Sequence, residues 1–128
     1  MKDCTLYKTM DIIGKRWTLC ILLELHKGNG KKHFNELKYM LHSITPKTLS
    51  TRLKELQDHG LIKRDVESDS TPVRCNYSLT ESGEEFIEII SHIKKWGLKW
   101  KFENEICSES DCQKCGIRQI SDPQCSTQ

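Results

Sequence analysis

Residues 43–64 read SITPKTLSTRLKELQDHGLIKR, and the start, face and stop of one helix lie within them. Thr45 offers a side-chain oxygen to cap the first turn, Pro46 sits at N1 where its missing N–H costs nothing, and Gly60 ends the run. The spacing predicts a helix from Pro46 to His59. Leu49, Leu53 and Leu56 fall at i, i+4 and i+7 and cover about 60° of its circumference, a stripe suited to burial. The opposite face carries Lys47, Thr51, Lys54 and Asp58, with Ser50 and Arg52 on its flanks. Acidic residues enter this helix only in its second half, at Glu55 and Asp58.

Upstream, Asn35 is the expected cap of a small helix containing Leu37, Tyr39, Met40 and Leu41, preceded by a short strand at His33 and Phe34. KGNGKK, residues 27–32, reads as a turn. A helix from Arg16 to His26 is apolar on nearly every side, as in an element buried by several neighbours. A weaker helical pattern in Leu6, Met10, Ile12 and Ile13 stops at Gly14. Downstream, Leu61 to Glu67 and Val73 to Leu79 alternate around the turn-rich SDSTP, which predicts a two-stranded hairpin. Thr80 then caps a long helix, with Glu84 and Glu85 near the positive end of its dipole. Its apolar set, from Phe86 through Trp96 and Trp100 to Phe102, exceeds one stripe against a small core, so part of it is expected to meet another chain. The fold class is therefore mainly α with a small β-hairpin (α+β), a winged helix-turn-helix over residues 1–102, followed by a cysteine-rich tail at 103–128.

The 128 residues suit one such domain plus an extension. No apolar run approaches the roughly 20 residues of a transmembrane helix, and the N-terminus lacks a signal-peptide stretch, so no membrane partner and a cytoplasmic address are expected. The net charge of +2 hides an asymmetry. Residues 1–65 hold 13 basic and 7 acidic side chains, residues 66–128 hold 7 and 11. A basic half suits a polyanion. A helix fits the DNA major groove, its first turns reach base edges, and a hairpin tip meets backbone or minor groove. Thr45, Lys47, Ser50 and Thr51 are the candidates for base edges or nearby phosphates, and Arg52 and Lys54 for phosphates.

Several blocks in order and spacing resemble the HxlR-type winged helix-turn-helix transcriptional regulators, relatives of the MarR type. The likeness runs from Cys4 to Trp96 through DIIGKRWTLCILLEL, HFNELKYML, SITPKTLSTRLKELQDHGLIKR and PVRCNYSLTESG. It implies a sequence-specific regulator that binds double-stranded DNA as a homodimer, with N- and C-terminal dimerisation helices, the Pro46 to His59 helix reading DNA and Ser68 to Pro72 as the wing tip. Two departures stand out: His33 replaces the usual arginine before Phe34, and Ser43 replaces a glycine. The wing tip has Asp69 and no basic residue, so its DNA contact falls to Arg74, with Lys63 and Arg64 as weaker candidates.

Seven cysteines remain to be placed. By resemblance, Cys4 stands where many family members keep a cysteine that in some of them senses oxidants or electrophiles. Lys2 and Lys8 would favour its thiolate if they lie nearby, and the alternative is an unreactive interface residue. Cys20 and Cys75 are expected to be buried. Cys107, Cys112, Cys115 and Cys125 form C-x4-C-x2-C-x9-C, which suits a zinc ion or an iron–sulfur cluster, an oxidation-responsive set of thiols, or a solvated tail. No cofactor is certain. His26, His33, His42, His59 and His92 lack ligand spacings. No catalytic constellation is legible, so the chain is not expected to be an enzyme. A thiol or metal-dependent redox protein using Cys112 and Cys115 is one alternative, and a protein-binding winged helix is another. The basic, hydroxylated helix face speaks against the latter.

Overall fold

The computed structural model describes residues 4–67, 74–109 and 111–115. Helix α1 (Thr5–Ile13) leads to α2 (Thr18–His26), strand β1 (Lys31–His33), α3 (Phe34–Met40) and α4 (Pro46–Asp58). Strands β2 (Ile62–Glu67) and β3 (Arg74–Leu79), the long α5 (Glu81–Trp100), the short α6 (Glu105–Glu109) and a 3-10 turn at Cys112–Lys114 follow. The expected tip at Ser68 to Pro72 lies outside the described residues, as do Lys2, Val73, Pro123 and Cys125.

The α4 stripe behaves as its spacing requires: Leu49, Leu53 and Leu56 are all buried. They pack with Ile21, Leu22 and Leu25 of α2, Leu37 of α3, and Leu41, Ile44, Leu61, Ile62, Leu79 and Ile90 in one core. Helix α2 touches α3, α4, α5, β1 and β3, which accounts for its nearly all-apolar surface. It begins at Thr18 rather than Arg16, because Trp17 holds a left-handed φ of 79°, incompatible with a right-handed helix.

The expected two-stranded hairpin is the larger part of a three-stranded antiparallel sheet, ordered β1-β3-β2. Lys31 pairs with Ser78 and His33 with Asn76, so β1 covers the other edge of β3. The small strand lies at Lys31–His33 instead of His33 and Phe34, because His33 itself caps α3. His33 N donates to Glu36 Oε1 at 3.0 Å in a capping box, replacing the cap expected at Asn35.

Thr80 caps α5 as expected, accepting from Gly83 N at 3.3 Å. Gly83 is required by close approach. A Cβ there would lie 2.2 Å from the Leu61 carbonyl oxygen, so α5 can seat against the turn after α4 only without a side chain. Gly60 O accepts from Thr80 Oγ1 and from Ser82 Oγ at 2.9 Å, fixing the same junction. Among the described residues no helix is long and apolar enough to cross a membrane.

Candidate nucleic-acid interface

Helix α4 is fixed at its start by Thr45, whose Oγ1 accepts from Thr48 N at 3.1 Å and donates to Thr48 Oγ1 at 2.9 Å. Its buried leucines then turn Lys47, Ser50, Thr51 and Lys54 outward, all exposed. Thr51 Oγ1 donates to Lys47 O at 2.9 Å, one turn back, so its hydroxyl proton is used within the helix while its oxygen still faces out.

Arg52 does not join that face. Its Nε donates to Arg16 O at 3.0 Å and its Nη1 to Glu55 Oε1 at 2.8 Å, so it ties α4 to the segment between α1 and α2. Lys15 Nζ meets the other oxygen, Glu55 Oε2. The Lys15 hydrogen bond, aided by Arg52, holds the Glu55 carboxyl below the ordinary carboxylate range. Glu55 is thereby compensated by two bases, whereas Asp58, one turn on, is exposed and lines a groove with Ser50 and Lys54. Lys15 and Arg16 were not among the residues singled out from the sequence, and the adjacent pair in GKRW was the available signal.

On the wing, Arg74 is exposed at the start of β3, opposite Glu67. Arg64 is better placed than its rank in the sequence reading. Together with Tyr77 it lines a shallow groove shared with Ser50 and Lys54 of α4. Its Nη2 also donates to Cys75 Sγ at 3.0 Å, so Cys75 is a half-buried partner of a guanidinium and not a fully buried residue. Lys63 is exposed on β2.

A second surface is apolar. Leu6 and Met10 of α1 and Ile89 and Ile93 of α5 line a groove of about 610 Å³. Tyr7, Trp96, Trp100 and Phe102 extend the exposed apolar set.

The profile of the HxlR-like helix-turn-helix family matches residues 12–105. The chain belongs to the HxlR-like family. It is 42% identical over 93 residues to the uncharacterized HTH-type transcriptional regulator YvaP of Bacillus subtilis (strain 168), covering 73% of this chain and 83% of that one. A MarR-family regulator structure from Porphyromonas gingivalis W83 superposes with a TM-score of 0.71 at 34% identity, over 78% of this chain and 95% of the other. The oxidized form of the redox regulator HypR gives a TM-score of 0.66 at 34% identity, over 77% and 99%. This HxlR-like chain is thus a transcriptional regulator with a winged helix fold.

One family-related position, Cys4, and the tail remain to be placed. Cys4 is exposed at the N-cap of α1, where its carbonyl accepts from Lys8 N at 3.1 Å. Of the tail residues, Cys107, Cys112 and Cys115 are described and Cys125 is not. Among the described residues no three His, Cys, Asp or Glu side chains form a group that could hold a metal ion. The tail beyond residue 105 lies outside the family match.

Proposed function

We propose that this HxlR-like regulator binds double-stranded DNA in the cytoplasm as a homodimer, with α4 in the major groove. The observation that carries this reading is the outward face of α4. Lys47, Ser50, Thr51 and Lys54 are exposed together, and Glu55 beside them is bridged to Lys15 and Arg52. Lys47, Ser50 and Thr51 meet base edges or nearby phosphates, Lys54 and the neighbouring Arg64 hold phosphates, and Arg74 contacts the backbone from the wing. Arg52 positions α4 from behind. The apolar surface of α1 and α5 is the dimer face, and a two-fold pair reads half-sites about 34–36 Å apart.

Fluorescence anisotropy with the promoter region of its own or a neighbouring gene tests this. Affinity should fall steeply with salt and with Lys47→Ala plus Lys54→Ala. A Kd indifferent to both would overturn the reading.

A second reading concerns the signal. Cys4 is exposed, and the similar structure of HypR is described as a redox regulator in its oxidized form. We infer that Cys4 is an oxidant-responsive thiol. Cys4→Ser should leave reduced-state DNA binding intact and abolish its response to diamide. An unchanged response would reject Cys4 as the sensor.

A further inference from the structure

The tail folds back onto the domain. Gly28 N donates to Gln113 O at 2.8 Å, pinning the 3-10 turn beside the end of α2. Cys20 of α2 and Cys107, Cys112 and Cys115 of the tail line one cleft of about 280 Å³ there. Glu24 and Lys94 share it. Glu24 is buried, and its Oε2 has no hydrogen-bond partner among the described residues.

Within the cleft, Cys112 and Cys115 are distinguished by local geometry. Cys115 N donates to Cys112 O at 3.2 Å, closing the turn. Side chains three apart in a 3-10 turn eclipse, at a rise of about 6 Å. That lies inside the Cα separation of roughly 4.4–6.8 Å that a disulfide bridges. Lys94 Nζ of α5 donates to Cys112 Sγ at 3.5 Å. The thiolate is the form that attacks an oxidant, and a lysine ammonium is a well-matched donor to it.

We propose that Cys112 and Cys115 form a dithiol site that hydroperoxides oxidise to an intramolecular disulfide, with Cys112 attacking first. The Cys112 thiolate attacks one peroxide oxygen and the O–O bond breaks. The departing alkoxide takes a proton and leaves as an alcohol, and Cys112 becomes a sulfenic acid. The Cys115 sulfur then attacks that sulfur. The S–S bond forms as the S–O bond breaks, and the hydroxide leaves as water with the proton of Cys115. Two thiols are oxidised and one hydroperoxide is reduced. Cys20 stays out of the exchange, because burial first, and then the Glu24 carboxylate, push its thiol pKa up and keep it protonated. Its test reads a covalent link between two tail residues and depends neither on Cys4 nor on DNA binding.

The full chain, purified anaerobically, is treated with one equivalent of cumene hydroperoxide and digested with trypsin without reductant. Cleavage after Lys114 separates the peptide that starts at Cys115 from the one holding Cys107 and Cys112. The expected product is these two peptides joined, with the mass of two hydrogens lost, and Cys20 still alkylatable. The link should persist in Cys107→Ser and vanish in Cys112→Ser, and Lys94→Gln should slow its formation severalfold. The proposal is overturned if the wild-type chain keeps Cys112 and Cys115 reduced while Cys4 oxidises, or if the link survives Cys112→Ser. Stoichiometric zinc or iron that protects both thiols until a chelator removes it would overturn it too, in favour of a metal site.

Discussion

The outward face of α4 and the joint face of α1 and α5 are both exposed, yet one is cationic and hydroxylated while the other carries Leu6, Met10, Ile93 and Trp96. Water satisfies the first face at little cost. The second leaves large side chains such as Trp96, 58% exposed, and Trp100, 63% exposed, in solvent, where apolar area costs about 25 cal/mol per Å². Equal exposure therefore has two meanings here. The α4 face, the proposed DNA surface, is stable in water, whereas the α1 and α5 face, the proposed dimer surface, is the one that gains by being covered.

The strongest way to break this contrast is to place charges on the apolar face. Ile93→Glu combined with Trp96→Glu should raise the dimer dissociation constant by about a thousandfold, roughly 4 kcal/mol, because buried unpaired charge is costly. Analytical ultracentrifugation reads this, and DNA affinity should fall with it. Gly83→Ala acts where α5 seats on the turn after α4, and its Cβ would meet the Leu61 carbonyl. It should lower unfolding stability by up to about 3 kcal/mol in urea titrations. Lys47→Ala plus Lys54→Ala tests the polar face alone. It should weaken DNA binding by about 2 kcal/mol near 0.1 M salt and lower the slope of log K against log salt by about two, with no change in oligomer.

The smallest effect belongs to Glu55→Gln, about 0.2–1 kcal/mol, since its partners are partly exposed. Lys15 and Arg52 lower the Glu55 pKa on folding. The pair therefore contributes its full stabilisation above the unfolded carboxyl pKa of about 4.3, and loses it as pH falls through the lower folded value. Wild type and variant should differ in thermal stability at pH 7 and converge in acid.

Much of α4 was legible because its determinants are local. Thr45, Pro46, three leucines and Gly60 lie within one helix length, and the structure follows them nearly residue by residue. The short strand Lys31–His33 was mostly hidden. Its residues are polar, and it exists through pairing with β3 more than 40 positions away. Arg52 misled for a similar reason: its position on α4 is clear from spacing, but its partner is the carbonyl of Arg16, 36 residues distant. The convergence of Cys20 with the tail thiols also depends on a long-range contact, the bond from Gly28 to Gln113. Local chemistry announced α4, and chain return decided which side chains its outer face keeps.

The stretch from Gly14 to Trp17 acts as a hinge pin between the two faces. It leaves the end of α1, Lys15 and the Arg16 carbonyl grip α4, and Trp17 locks its exit in a left-handed turn under the Arg16 guanidinium, 5.1 Å from the ring centroid. In the proposed dimer this pin is the link between α1, on the pairing face, and α4. On that proposal, the spacing of the two α4 helices is gauged where α1 ends, by the Lys15 and Arg16 contacts.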